Sequence, residues 1–151
     1  MSTLVIYSSK HGTTRKCAET IANRIKSNLI DCTSKQIDFK DYSEIILCTP
    51  IYFGSISASL KKFIKKHKDR LSGCYSLKVY TCGLGGLESA QTAVNRYFSK
   101  LDWKISHEHL GGEIVWESLS FLERMIIKSV LKDEPAPMLD VEKLDNIINN
   151  L

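Results

Sequence analysis

The chain has 151 residues, of which 43% are hydrophobic and 25% charged, and it carries a formal net charge of +4. These values describe one ordinary globular domain able to bury its own core, and no apolar run approaches the length of a membrane span. The five cysteines, Cys17, Cys32, Cys48, Cys74 and Cys82, are odd in number and form no Cys-x-x-Cys pair. With Met1-Ser2-Thr3 leading straight into a strand rather than a basic and apolar leader, reduced thiols in the cytoplasm are expected.

The first predicted element is a strand over 3–8, carried by Leu4-Val5-Ile6-Tyr7. A short loop of hydroxyls and one glycine, Ser8 to Thr14, leads into a helix predicted over 13–27, with Cys17, Ala18, Ile21, Ala22 and Ile25 on its apolar face. A strand–loop–helix of this kind aims backbone N–H groups and the positive end of a helix dipole at one spot, which suits a phosphate. The loop lacks both the Gly-Lys-Ser/Thr ending of nucleotide-triphosphate loops and the Gly-x-Gly-x-x-Gly of dinucleotide folds. Hydroxyls from Ser9, Thr13 and Thr14 with few positive charges suit a monophosphate; the competing reading is that they cap the helix and nothing more.

A short strand near 29–33 and a strand over 44–49 follow, with about ten residues between them, too few for a full crossover helix. Helix 56–68 presents Ile56, Leu60, Phe63 and Ile64 on one face and Lys61, Lys62, Lys65, Lys66 and Lys68 elsewhere. No aromatic side chains interleave with these lysines as base stacking requires, so they are read as a solvated face and nucleic acid is rejected as a partner. Strand 75–82 and helix 87–100 come next, then a strand near 106–113. Its His107 and His109 have no further ligand in metal-binding spacing and are read as partly exposed histidines. Helix 118–132 has a broad apolar face, with Arg124, Lys128 and Lys132 opposite; it is read as an ordinary core-covering helix or as a mobile flap beside the ligand that meets an anionic membrane. Pro135 and Pro137 break the chain before a last helix over 140–150, where Asp140 is the expected N-cap and Leu139 and Leu144 the staple. The alternation implies a parallel sheet with helices on both faces and a ligand at the carboxyl ends of the strands.

Three blocks carry a resemblance. Tyr7, Ser9, Gly12 and Thr14 form an aromatic-x-Ser-x-x-Gly-x-Thr pattern; Ile45 to Gly54 form a second block, ending in Thr49-Pro50-Ile51-Tyr52-Phe53-Gly54. The strand Tyr75–Thr81 runs into the third, Cys82-Gly83-Leu84-Gly85-Gly86. In this order they resemble the flavodoxin family. The segments Phe63-Ile64-Lys65-Lys66-His67, Trp103, Gly112 and Met125-Ile126-Ile127-Lys128 look most like its branch of flavodoxin-like, quinone-dependent protoporphyrinogen oxidases. A receiver domain is excluded because Ser8, Ser9 and Thr49 stand where acidic residues are needed, and a low-molecular-weight phosphatase because the first loop holds no cysteine.

The resemblance implies a single flavodoxin-like domain over 1–151. Its fold is an α/β three-layer sandwich on a five-stranded parallel sheet in the order 2-1-3-4-5, with an extra helix before the C-terminal one. It implies non-covalent FMN, with the phosphate on Ser9, Lys10, His11, Gly12, Thr13 and Thr14. The flavin ring lies against Thr49, Pro50, Ile51, Tyr52, Phe53 and Gly54, with Tyr52 or Phe53 covering it and the Gly54 peptide turning toward N5. Cys82, Gly83, Leu84 and Gly85 approach its pyrimidine end. Leu84 and Leu87 stand where carriers have a second aromatic. No catalytic side chain and no metal are assigned, because a flavin carries its own chemistry. The expected role is an oxidoreductase passing electrons from a reduced substrate or redox partner to a quinone or similar acceptor, with weak peripheral contact at the inner face of the membrane. The alternatives are a one-electron carrier, disfavoured by the positive charge, and a flavin-less interaction module. The sequence leaves the oligomeric state open.

Overall fold

The computed structural model describes residues 2–131 and 137–151, without the side chain of Val130; Lys132 and Pro135 lie outside the described residues. Five parallel strands form the sheet: β1 (Thr3–Tyr7), β2 (Asn28–Asp31), β3 (Glu44–Tyr52), β5 (Ser76–Cys82) and β6 (Ser106–His109). Their order is β2-β1-β3-β5-β6. This is the expected 2-1-3-4-5 arrangement once β4 (Ser55–Ile56) is set aside, a short strand that folds back antiparallel on the end of β3.

The apolar runs are unbroken because both faces of the sheet are covered. Leu4, Ile6, Ile45, Leu47, Leu77 and Val79 face one core, under α2 (Ala58–Lys66) and α4 (Gly86–Phe98). Their strand neighbours Val5, Tyr7, Ile46, Cys48, Tyr80 and Cys82 face the other, under α1 (Thr13–Ile25) and α6 (Val141–Asn149). Residues 32–43 contain no helix, as their number requires. Phe39 fills the place of one: it is buried against Phe63 and His67, with ring centroids 6.0 and 5.0 Å away, and its carbonyl accepts from Arg70.

Several boundaries move for identifiable reasons. Ser57, not Ile56, starts α2, because its hydroxyl accepts the Leu60 N–H at 3.1 Å. The predicted helix 56–68 divides at His67, beyond which α3 (Lys68–Ser72) begins. β6 pairs only as far as His109, where the expected strand ran to 113. Past it Gly111 takes a φ of 81°, and a side chain on Gly112 would meet the Gly83 carbonyl oxygen at 2.5 Å. Asp140 caps α6 as expected, accepting the Lys143 N–H at 2.9 Å over a buried Leu144.

The extra segment departs most from expectation. A 3-10 turn over Trp116–Ser118 precedes α5 (Phe121–Leu131), and Ser120 and Glu123 form a capping box. The Ser120 hydroxyl accepts the Glu123 N–H and the Glu123 carboxylate accepts the Ser120 N–H, both at 3.2 Å. The helix therefore starts at 121 rather than 118. Its described apolar side chains join neither core: α5 stands at the carboxyl end of the sheet instead of covering it.

Candidate functional site

The loops after β1, β3 and β5 converge at the carboxyl ends of the strands on a cavity of about 370 Å³, a size suited to a small-molecule ligand. One wall is the start of α1, through His11, Thr13 and Thr14; the floor is Pro50 to Gly54 and Cys82 to Gly85. The far wall is the extra segment, through Gly112 to Val115, Leu119, Glu123, Ile126, Ile127 and Leu131.

At the α1 end, Gly12 offers no side chain to cap the helix, and the first helical bond runs from Lys16 N–H to the Gly12 carbonyl at 3.0 Å. The N–H groups of Thr13, Thr14 and Arg15 meet no acceptor among the described residues. Unfilled donors at a helix start favour an anion. The hydroxyls around them divide. Ser9 accepts the Gly12 N–H at 3.1 Å and so holds the loop's shape. Thr13 donates to Glu113 at 3.4 Å, and Thr14 is buried and lines the cavity. Ser8 is tied to Ser59 of α2 at 2.7 Å.

The cations of this loop are already partnered. Glu123 receives Lys10 Nζ at 3.1 Å and His11 Nε2 at 3.0 Å, and Lys16 Nζ reaches Glu113 at 3.5 Å. The Ser120 N–H, then Lys10, hold the Glu123 carboxyl down to about 2. His11 Nδ1 is buried without a hydrogen-bond partner among the described residues. The His11 ring meets Tyr52 edge-on at 5.9 Å. Burial, and then the Glu123 charge, push the Tyr52 phenol up to about 12, so it is neutral at any ordinary pH.

Tyr52, Phe53, Gly54 and Ser55 form a tight hairpin between β3 and β4, with φ of 50° at Phe53 and 71° at Gly54. Positive φ at both central residues marks a type I′ turn, a left-handed backbone that costs a residue with a side chain about 1–2 kcal/mol. Phe53 stands 90% exposed on the cavity rim, while Tyr52 is about a third exposed. Thr49 lies beneath: fully buried, it donates to the Pro50 carbonyl and accepts the Ser57 N–H, both at 3.1 Å, bracing the hairpin. Of the expected site residues, Thr49, Ser9, Lys10 and Gly12 do not line the cavity; the other twelve do.

A family profile described as a flavodoxin domain matches residues 4–138. The chain belongs to the flavodoxin family. It is 23% identical over 145 residues to the protoporphyrinogen IX dehydrogenase [quinone] of Escherichia coli strain K12, an alignment covering 87% of this chain and 80% of that protein. Its fold is similar to that of a flavodoxin from the domain Archaea, with a TM-score of 0.59 and 15% identity over 96% of this chain and 99% of the other. A flavoprotein of Lactobacillus acidophilus NCFM, solved in complex with FMN, shares the fold with a TM-score of 0.56 and 17% identity, over 74% and 92% of the two chains.

The reading from sequence offered the extra segment beside the ligand only as an alternative to a core-covering helix, and placed none of its residues at the site. Glu113, Ile114, Val115, Leu119, Glu123, Ile126, Ile127 and Leu131 were not expected at the site, nor was Ser89. The Ser120-x-x-Glu123 box was the available signal: it fixes where α5 begins, and so which of its residues face inward. His107 is partly exposed as expected, while His109 is not. Both bond the Thr81 hydroxyl, at 2.8 and 2.9 Å, and His109 is buried rather than exposed. Burial and the neighbouring His109 push His107 down to about 4, and the described residues hold no metal-binding cluster.

Proposed function

We propose that this protein binds FMN non-covalently in the cavity and passes electrons from a reduced substrate or redox partner to a quinone or similar acceptor. One observation carries the reading: the unfilled N–H groups at the start of α1 open onto the same cavity as the hairpin and the 82–85 loop. The residues fit the group. Backbone donors and the Thr14 hydroxyl suit the phosphate, and Lys10, His11 and Lys16 are already engaged by Glu123 and Glu113. The protein therefore offers hydrogen bonds more than net charge. Pro50 to Gly54 and Cys82 to Gly85 supply an apolar slot for a flat ring, with Tyr52 the aromatic on its wall.

When bound, the flavin supplies two-electron redox chemistry, and the chain supplies position, polarity and exclusion of water. The wall from Leu119, Ile126, Ile127 and Leu131 keeps the cavity apolar, which favours an apolar second reactant. The relative named for its quinone specificity supports the same class of acceptor. The net charge of +4 disfavours a shuttle that docks on basic partners.

Weak contact with an anionic membrane belongs to this reading. Phe121, Leu122 and Met125 form an exposed row on α5, 80%, 67% and 55% accessible, flanked by Arg124 and Lys128. No helix among the described residues is long and apolar enough to cross a membrane.

The test is titration of apoprotein with FMN and with riboflavin, for wild type and Thr14→Val. Loss of a hydrogen bond to a charged group costs about 1.5–3 kcal/mol, so FMN affinity should fall roughly ten- to a hundred-fold. Riboflavin affinity should barely change. Equal weakening of both ligands would remove the phosphate from this loop, and a protein that takes up neither would end the cofactor reading.

A further inference from the structure

Cys17 and Cys82 are 65 positions apart, yet their sulfurs lie 3.8 Å from each other, with both side chains almost wholly buried. Cys17 sits in the second turn of α1, behind the phosphate-type loop; Cys82 is the last residue of β5 and lines the cavity. All five cysteines are free thiols; among the described residues Cys32, Cys48 and Cys74 make no such sulfur–sulfur contact, and none of them borders the cavity. We propose that Cys17 and Cys82 form a reversible dithiol–disulfide couple that exchanges two electrons with the oxidised flavin held in the cavity; the identity of that electron acceptor rests on the FMN reading above.

A disulfide needs the sulfurs about 2.0 Å apart, so from 3.8 Å the pair has roughly 1.8 Å to close. The two thiols are also unequal. The Cys82 S–H donates to Cys17, which holds the Cys17 thiol below its usual value, while that same hydrogen bond and burial raise Cys82. The thiol facing the cavity thus holds its proton more tightly than the one behind it. In the exchange both S–H bonds break and one S–S bond forms. The electron pair and one proton pass to the flavin ring, and the second proton leaves to water. Reoxidation of the flavin by the acceptor resets the cofactor, and an external dithiol resets the couple. The cavity thereby gains a second two-electron store beside the first.

The experiment uses the full chain. Apoprotein is oxidised with diamide, a small azo-type thiol oxidant, and FMN-loaded protein is titrated anaerobically with dithionite. Peptide mapping after acid quench and alkylation should find Cys17 linked to Cys82. The link should vanish in Cys17→Ser and Cys82→Ser and persist in the Cys32→Ser/Cys48→Ser/Cys74→Ser variant. Oxidised, FMN-loaded protein should consume one more two-electron equivalent of dithionite than Cys82→Ala does. Wild-type mapping needs no variant to fold, so a wild type that never forms the link, or links Cys82 to Cys48 instead, overturns the proposal. A link without the extra equivalent overturns the exchange with flavin. A protein that forms the link but takes up no FMN would sink the cofactor reading and leave the couple standing.

Discussion

Two helices form opposite walls of the cavity, and they are held in different ways. α1 is fixed from below: Cys17, Ala18, Ile21 and Ala22 are buried against Val5, Ile46 and Tyr80 of the sheet. α5 has no such anchor. Its described apolar side chains face the cavity or solvent, and its described ties are polar: Glu123 to Lys10 and His11, Arg124 Nε to the Trp116 carbonyl at 3.0 Å, and Lys128 5.9 Å from the Trp116 ring. A helix held by burial responds to core mutations, and one held by charge responds to salt and pH. The position of the first wall is a property of the fold; the position of the second is adjustable.

The largest effect expected from this contrast is on stability. Ile21→Ala removes a fully buried side chain and should cost about 2–5 kcal/mol in urea unfolding. Ile127→Ala, on the inner face of α5, should stay within about 1 kcal/mol. If both substitutions destabilise equally, α5 is part of the cooperative core and the contrast fails.

Next in size is membrane contact. Each basic residue near an anionic surface is worth about 1 kcal/mol, so Arg124→Gln/Lys128→Gln should lower partition onto phosphatidylserine vesicles roughly thirty-fold. Three exposed apolar side chains and two charges predict weak, reversible attachment rather than anchoring. Co-sedimentation at low and high salt decides it. Binding that ignores both salt and the substitutions, or is absent, leaves the exposed row of α5 without a membrane role.

The same division explains what was legible in the sequence. Leu4 to Tyr7, Ile45 to Cys48 and Leu77 to Cys82 announce a two-sided parallel sheet because burial writes continuous apolar runs, and Asp140 announces the start of α6 because a cap is local. The first three loops were legible because strand ends in this topology meet at one place. The hairpin was not, since Phe53 occupies a left-handed position where Asn or Asp usually signals the turn. The inward face of α5 was not either: a broad apolar stripe says that something is covered, without saying whether it is a sheet or a cavity. Nor does spacing reveal that Cys17 and Cys82 meet, because only the β1–α1 and β3–β5 packing brings them together.

Acid should separate the two regions. His107 is pushed down to about 4, so the fold favours its neutral form, and stability is lost as pH falls from 6.5 toward 4. Glu123 is held down to about 2, so the tie it makes is complete above 4.5 and is lost as pH falls from 4.5 through 2. In a Trp103→Phe background, Trp116 fluorescence reports the α5 segment and far-ultraviolet circular dichroism reports the fold as a whole. The expected order is global weakening first, with the Trp116 environment changing in the lower window. Coincident transitions would mean that α5 leaves only when the whole domain unfolds.

The smallest expected effect on stability is the most informative about function. Glu123→Gln keeps a residue able to complete the cap at Ser120 and removes the charge that Lys10 and His11 share. Lys10 is exposed and Glu123 only partly covered, so the unfolding midpoint should barely move. The helix would nevertheless lose the Glu123 tie to the phosphate-type loop, and ligand entry past α5 should quicken. Stopped-flow mixing of apoprotein with FMN should show association several-fold faster than wild type, and wild type itself should speed up with salt while the variant does not. Riboflavin separates the two causes. It carries no phosphate, so removing a nearby negative charge cannot attract it, whereas loosening a wall admits it as readily as FMN. Acceleration of both ligands supports a wall latched by Glu123; acceleration of FMN alone reduces Glu123 to a local repulsion; and no acceleration means that α5 does not stand in the path of entry.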